Sequence, residues 1–161
     1  MYGGLNMNKS LVCFFSASGN TKRVAEKISS AISADVFEMV PVNKYTDKDL
    51  DWNDEKSRSS LENNDRSIRP KITKKVDNID KYDTIILGYP IWWGKAPNIV
   101  DTFINENDLS NKKIYVFVTS GGSGAQSSFD DLSRRYSNLN FVSTRRFDGN
   151  ETHEEYQNWL I

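Results

Sequence analysis

Three short apolar runs, each separated from the next by a helical pattern, constrain the fold of this chain most strongly. The runs cover residues 11–15, 84–88 and 114–118, and they are rich in β-branched and aromatic residues. Between them, apolar residues recur every three or four positions, which predicts amphipathic helices. Strands that alternate regularly with helices form a parallel sheet with helices on both faces. We therefore predict an α/β fold with a single doubly wound domain.

Two further strands are predicted at residues 35–40 and 141–147, and both carry polar residues within the apolar pattern. A strand that is buried on both faces reads as a continuous apolar run, whereas an edge strand tolerates polar side chains. The three apolar runs are therefore central, and the two polar strands lie at the edges. This polarity predicts a five-stranded parallel sheet in the order 2-1-3-4-5.

The composition of the chain excludes several functional classes. The chain has 161 residues, a formal net charge of −1, one cysteine and one histidine. It has no basic excess for binding nucleic acid, no pair of cysteines for an internal disulfide and no set of histidines for a metal site. No apolar stretch approaches the roughly 18 residues of a membrane helix. We expect a cytoplasmic protein with no membrane insertion.

The domain is predicted to span residues 8–161, after a flexible leader of residues 1–7. The long charged stretch at 41–80 does not fit the simple alternation of strands and helices. Structureless loops of that length are uncommon, so we expect a helical turn or two near residues 47–62. A Thr152-x-x-Glu155 capping box predicts the start of a closing helix.

The first strand ends at a loop with the features of a phosphate site. The loop contains Ser16, Ala17, Ser18, Gly19, Asn20 and Thr21. A helix follows directly, so backbone N–H groups and the positive end of the helix point to one place beside several hydroxyls. Such a nest holds phosphate without a lysine. The alternative is that these residues only cap the helix.

The third strand ends at a loop with two adjacent tryptophans. The loop includes Pro90, Ile91, Trp92, Trp93 and Gly94. Adjacent side chains cannot both face the same interior, so at least one indole is expected at the surface or against a ligand. A planar aromatic ligand would offset the cost of presenting this much indole surface. The alternative is that both rings pack sideways onto neighbouring helices.

The fourth strand ends at a loop of small residues. The loop contains Thr119, Ser120, Gly121, Gly122, Ser123 and Gly124. Small residues allow another group to approach the main chain closely. In the predicted fold this loop and the two described above share the carboxyl edge of the sheet, near the topological switch point where ligands bind.

Taken together, these motifs resemble those of the flavodoxin family, and particularly its branch with a Tyr-Pro-Ile-Trp-Trp-Gly loop. The likeness spans residues 8–161 and is carried by Ser16–Thr21, Tyr82-Asp83, Gly88–Pro97 and Thr119–Gly124. It implies FMN as the cofactor, with the first loop on its phosphate. It also implies that Trp92 or Trp93 stacks on the isoalloxazine ring and that Ser120–Gly124 contacts its other side. Spacing does not decide which tryptophan stacks.

The resemblance further implies a low-potential electron-transfer protein with no catalytic side chain. Its partners would be redox proteins, namely a flavin or ferredoxin-type reductase and an acceptor enzyme. In flavodoxins a flexible peptide beside the stacking residue turns toward flavin N5. Gly94 would permit such a peptide to turn, because glycine adopts positive φ without a Cβ penalty.

The sequence departs from typical flavodoxins in two respects. The chain is nearly neutral rather than strongly acidic, and the loop after the fourth strand has no aromatic residue. An uncovered ring face could admit a substrate, so an FMN-dependent NAD(P)H or quinone oxidoreductase is the alternative function. A third possibility is a relative that has lost flavin and binds another phosphorylated ligand.

Two reactive side chains are assigned structural positions. Cys13 lies in the middle of a predicted strand and is expected in the core, whereas His153 stands near a helix start and is expected in solvent. A response regulator is excluded, because the third strand does not end at a phosphate-accepting aspartate.

Overall fold

The computed structural model describes residues 9–160, so the predicted leader at residues 1–7 lies outside the described part of the chain. Strands and helices alternate as predicted. In chain order they are β1 (Ser10–Phe14), α1 (Asn20–Ile32), β2 (Asp35–Glu38), α2 (Arg58–Asn64), β3 (Thr84–Pro90), α3 (Asn98–Glu106), β4 (Lys113–Thr119), α4 (Gln126–Arg135), β5 (Asn140–Arg146) and α5 (His153–Trp159).

The five strands form one parallel sheet in the order β2-β1-β3-β4-β5, which confirms the predicted α/β doubly wound fold. All residues of β1 are buried, as are the first six of the seven residues of β3. The edge strands β2 and β5 each have exposed positions, and β5 has no fully buried residue. Strand polarity therefore predicted the order, because the central strands are buried on both faces and the edge strands are not.

Two layers of apolar side chains cover the faces of the sheet. On one face, Val24 and Ile28 of α1 pack with Tyr156 of α5. On the other, Ile99 and Phe103 of α3 belong to a larger cluster. The predicted capping box of α5 is present, with reciprocal bonds between Thr152 and Glu155. The helices thus pack from both sides and leave the carboxyl edge of the strands open for loops.

The long stretch at 41–80 contains the helical turns predicted near 47–62, and its regular helix extends beyond that range to Asn64. One turn is closed by the bond from Leu50 N to Thr46 O (3.1 Å). The regular helix α2 begins only at Arg58, because the Ser57 side chain accepts a hydrogen bond from Ser60 N and so caps it there.

The single cysteine lies in the core, as predicted. Cys13 is fully buried in β1, and desolvation raises the pKa of its thiol well above the ordinary value. His153 is exposed at the first position of α5, also as predicted. Among residues 9–160, no helix has both the length and the apolar character needed to cross a bilayer.

Gly88 in the centre of β3 has no room for a side chain. A Cβ at this position would lie 2.0 Å from the Cζ atom of Phe117 on the adjacent strand. We expect Gly88→Ala to lower the free energy of unfolding by about 1–3 kcal/mol, because the ring must leave its packed position. Gly121→Ala is the matched control, since a Cβ there meets nothing within 4 Å. Urea unfolding of both variants measures the difference, and equal stabilities would contradict the expectation.

Candidate functional site

The three predicted loops meet at the carboxyl edge of the sheet and are joined by hydrogen bonds. The hydroxyls of Thr21 and Thr119 lie 2.7 Å apart in a buried contact between the first and third loops. Ile91 N of the second loop donates to Thr119 O at 3.0 Å. Ser127 Oγ, just beyond the third loop, donates to Gly94 O at 3.0 Å. The structure therefore brings the three loops to one place, as the topology predicted.

The first loop presents main-chain donors at the beginning of α1. Gly19 has a φ of 98°, which glycine adopts without strain, and its N–H donates to Ser16 Oγ at 3.1 Å. Ser18, Gly19 and Asn20 are exposed, whereas Thr21 is buried. The N-cap residue of α1 is Gly19, which has no side chain to cap the helix. Because the first N–H groups of a helix have no intrahelical acceptor, this end of α1 offers donors and the positive end of the helix dipole.

The second loop turns back tightly at the two tryptophans. Trp92 and Lys95 exchange two backbone hydrogen bonds, of 2.9 and 3.0 Å. The two residues between them, Trp93 and Gly94, have φ values of 51° and 75°. Positive φ at both central positions is typical of a type I′ turn. Gly94 thus has the positive φ for which glycine is suited, and Trp93 is held in a conformation that bulky residues rarely adopt.

The two tryptophans occupy different environments. Trp92 is half-buried, and its ring packs edge-on against Phe15 (5.7 Å between centroids) and Tyr45 (5.5 Å). Trp93 is 44% exposed. The expectation that at least one indole stays at the surface is therefore confirmed. Trp92 is a packed part of the wall, whereas Trp93 stands at the tip of the turn and is exposed.

The third loop is open to solvent beyond its first residue. Thr119 is buried and Ser120 is half-buried, whereas the remaining positions through Gly124 are exposed. A Cβ built on Gly121, Gly122 or Gly124 would meet no atom within 4 Å. Ser120 Oγ donates to Ser123 O at 2.5 Å, which closes the loop on itself. The main chain of this loop is therefore accessible, and another group can approach it closely.

A cavity of about 330 Å³ lies between the first two loops and the long 41–80 stretch. Its volume is in the range of small-molecule sites. Its lining comprises Ala17, Ser18, Leu50, Trp52, Ser59, Pro90, Ile91, Trp92 and Trp93. Six of these residues belong to the predicted site. Leu50, Trp52 and Ser59 were not predicted as site residues. They lie in the charged stretch at residues 41–80 between β2 and β3 (the insertion), where the only sequence signal was the presence of a tryptophan.

Asn98, at the beginning of α3, fixes the insertion beside the tryptophan loop. Its Nδ2 lies within hydrogen-bond distance of three carbonyl oxygens, those of Glu62 (2.8 Å), Asp65 (3.1 Å) and Ile68 (3.1 Å). Arg66 Nη2 also donates to Ala96 O at 2.7 Å. Because these bonds join the end of α2 directly to the residues after the tryptophan turn, the two walls of the cavity are held together.

A buried carboxylate, Glu62, holds an aromatic ring that packs against Trp92 of the cavity wall. Glu62 Oε1 accepts from the Tyr45 hydroxyl at 2.5 Å, and its Oε2 accepts from Arg58 Nε at 2.9 Å. The Arg58 guanidinium also lies 3.8 Å from the centre of the Tyr45 ring. Burial and the bond to Glu62 raise the pKa of Tyr45, so its hydroxyl stays a donor. This Tyr45–Glu62–Arg58 cluster holds the ring against which Trp92 packs.

Comparison with known proteins agrees with this architecture. The flavodoxin family profile matches residues 9–161. The chain belongs to the flavodoxin family. FMN is the cofactor that the family binds, as the resemblance of the loops implied. Among curated proteins, none matches the sequence.

Solved structures of other flavoproteins share the fold. A protein from Bacteroides eggerthii, provisionally named a flavoprotein, is 42% identical, with 94% of each chain covered and a TM-score of 0.91. A second such protein, from Bacteroides uniformis, is 38% identical over 94% of this chain and 96% of its own, with a TM-score of 0.89. A flavoprotein from Lactobacillus acidophilus in complex with FMN is 24% identical over 94% of this chain and 98% of its own, with a TM-score of 0.74.

The Tyr45–Glu62 bond gives a test of how the wall is held. We expect Tyr45→Phe to lower the free energy of unfolding by about 1–3 kcal/mol, because a buried carboxylate oxygen loses its donor. The control is Tyr115→Phe, since Tyr115 is a buried tyrosine that packs on Trp159 in the apolar layer on the other face of the sheet, away from Tyr45. Urea unfolding measures both changes, and a Tyr45 variant as stable as the control would show that the bond contributes nothing.

Proposed function

We propose that this protein is an FMN-binding flavodoxin that carries electrons between redox partner proteins. The observation that carries the proposal is the cavity at the carboxyl edge, which joins a helix N-terminal loop to a double-tryptophan loop in a chain of the flavodoxin family. Both features lie beside the central strands β1 and β3, where the strand order reverses. That position is where doubly wound folds bind their ligands.

The first loop fits a phosphate group. Its exposed residues, Ser18 to Asn20, lie at the positive end of α1, and the positive φ of Gly19 turns the main chain there without a side chain in the way. No lysine is needed, because main-chain N–H groups and hydroxyls satisfy the phosphate oxygens. We assign Ser16–Thr21 to the FMN phosphate.

The second loop fits the flavin ring. Pro90, Ile91 and both indoles supply a broad apolar wall, and one flavoprotein with a similar fold has been solved in complex with FMN. We assign Pro90–Gly94 to one side of the isoalloxazine ring and Thr119–Gly124 to its pyrimidine edge and other side. When bound, FMN supplies the redox chemistry, and the protein binds the flavin, orients it and limits its access to water.

The lining of the cavity favours an electron carrier over a self-sufficient enzyme. Among the described residues, those that line it include no acidic, basic, histidine, cysteine or tyrosine side chain. The site thus has no evident group to move a proton to or from a second substrate. We infer that the partners are proteins, a flavin or ferredoxin-type reductase and an acceptor enzyme, in the cytoplasm. With a net charge of −1, long-range electrostatic steering toward them is weak.

The phosphate assignment predicts a charge effect that depends on the ligand. We expect Ser18→Asp to weaken FMN binding at least about tenfold, because a carboxylate would face the phosphate dianion across a short distance. Riboflavin, which lacks the phosphate, should bind this variant nearly as well as it binds the wild type. The neutral Ser18→Asn variant is the matched control. Flavin fluorescence titrations give all these affinities, and equal losses for both ligands would contradict the assignment.

The carrier proposal predicts reduction in two separate one-electron steps. Anaerobic spectroelectrochemical titration of the FMN-loaded protein measures the two potentials directly, and well-separated values are the expected result. A single two-electron step would contradict the carrier. Steady NAD(P)H oxidation by the purified protein, with a quinone as acceptor, would favour the oxidoreductase instead. Failure to bind FMN at all would point to a relative with another phosphorylated ligand.

A further inference from the structure

We propose that Trp52 forms a second aromatic wall of the flavin site, supplied by the insertion between β2 and β3 rather than by the loop after β4. The proposal rests on FMN binding at the 330 Å³ cavity described above. It assigns contact with the flavin ring to the 41–80 stretch, in which no sequence motif predicted a site residue.

Trp52 and Trp93 stand together at the boundary of two cavities. Both residues line the 330 Å³ cavity, and both also line an adjoining cavity of about 550 Å³. The first cavity is lined mainly by apolar side chains, whereas the second is lined by polar residues that include Glu55, Lys56 and Asn63. The two indoles therefore separate an apolar region suited to a ring from a polar region open to water.

The exposure of Trp52 leaves indole surface that a bound ring could cover. Its side chain is 69% exposed, the largest exposed fraction among the large hydrophobic side chains of the described residues, although it lines an apolar cavity. A planar ring placed in this cavity would cover indole surface that water now contacts. Stacking adds to that burial, since aromatic pairs gain more than the area term alone.

The loop after β4 does not supply a second aromatic group. It consists of serine and glycine from Ser120 to Gly124, and a Cβ on any of its glycines would meet only open space. A ring held by the tryptophan turn would thus find no aromatic partner in this loop. Trp52 is the tryptophan outside the Trp92–Trp93 turn that lines the cavity, so the insertion supplies an aromatic surface that the loop after β4 does not.

The main chain around Trp52 is fixed well enough to position its ring. Thr46 and Asp49 exchange two bonds, Thr46 N to Asp49 Oδ2 (2.9 Å) and Asp49 N to Thr46 Oγ1 (3.1 Å). Asn53 N donates to Asp51 Oδ1 at 3.0 Å, directly beside the tryptophan. Ser59 N donates to Asp49 O at 3.0 Å, which ties this turn to α2. Little ordering of the loop is therefore needed when a ligand binds.

The test compares two flavins on the full-length apoprotein. Trp52→Ala is expected to weaken FMN and riboflavin by the same factor, about tenfold, because both ligands carry the same ring and stacking on an aromatic side chain is worth that much. Trp52→Phe should restore most of the affinity. Leu61→Ala is the matched control, since Leu61 is also an exposed apolar residue of the insertion but lines neither cavity. Flavin fluorescence quenching gives the dissociation constants, and thermal unfolding checks that the variants fold.

Each outcome decides the proposal. An equal loss for both flavins that phenylalanine restores supports it. Wild-type affinity in Trp52→Ala overturns it while FMN binding by the protein stands, and a loss confined to FMN overturns it by placing the effect at the phosphate. If the wild-type protein binds neither flavin, the proposed function fails and this inference fails with it. Because the side chain is mostly exposed, its replacement should leave the fold intact.

Discussion

The parallel pairing of β1, β3 and β4 is the constraint on which the rest of the molecule depends. Side chains of these strands are buried on both faces of the sheet, so their register cannot slip without moving polar groups into the core. Because the strands run in one direction, the loops that follow them must meet at one edge. Thr119 completes the arrangement, since it contacts both Thr21 and Ile91 and joins the three loops where β4 ends.

A second set of contacts adds the insertion to this edge. Asn98 binds three carbonyls at the end of α2, and Glu62 links Arg58 to Tyr45 beneath Trp92. Both side chains are buried, and the hydrogen bonds of Asn98 Nδ2 and of the Glu62 carboxylate offset part of the cost of removing these groups from water. As a result, the long charged stretch at 41–80 packs against the sheet edge and forms one wall of the cavity. The candidate site therefore has one side set by the loops that follow the sheet strands and another set by the contacts of the 41–80 stretch.

Much of the fold could be predicted from local patterns. The continuous apolar runs and the polar edge strands predicted the strand order, and the Thr152–Glu155 capping box predicted the start of α5, because each of these signals arises from neighbouring residues. The predicted position of α2 was less accurate, since Ser57 was one of several possible N-cap residues in a stretch rich in serine and aspartate. Trp52 was missed as a lining residue for a related reason, as its position depends on how the whole insertion packs.

By itself, the sequence determined the order of the elements, the edge of the sheet where the loops meet, and the residue types offered there for a phosphate and a planar ring. It did so because strand burial, helix capping and positive φ at glycine are local properties. Only the tertiary structure decided that Trp92 is packed while Trp93 is exposed, and that the insertion forms a wall of the cavity. Those outcomes depend on contacts between residues far apart in the chain, such as Asn98 with Glu62 and Trp92 with Tyr45, which no short-range pattern encodes.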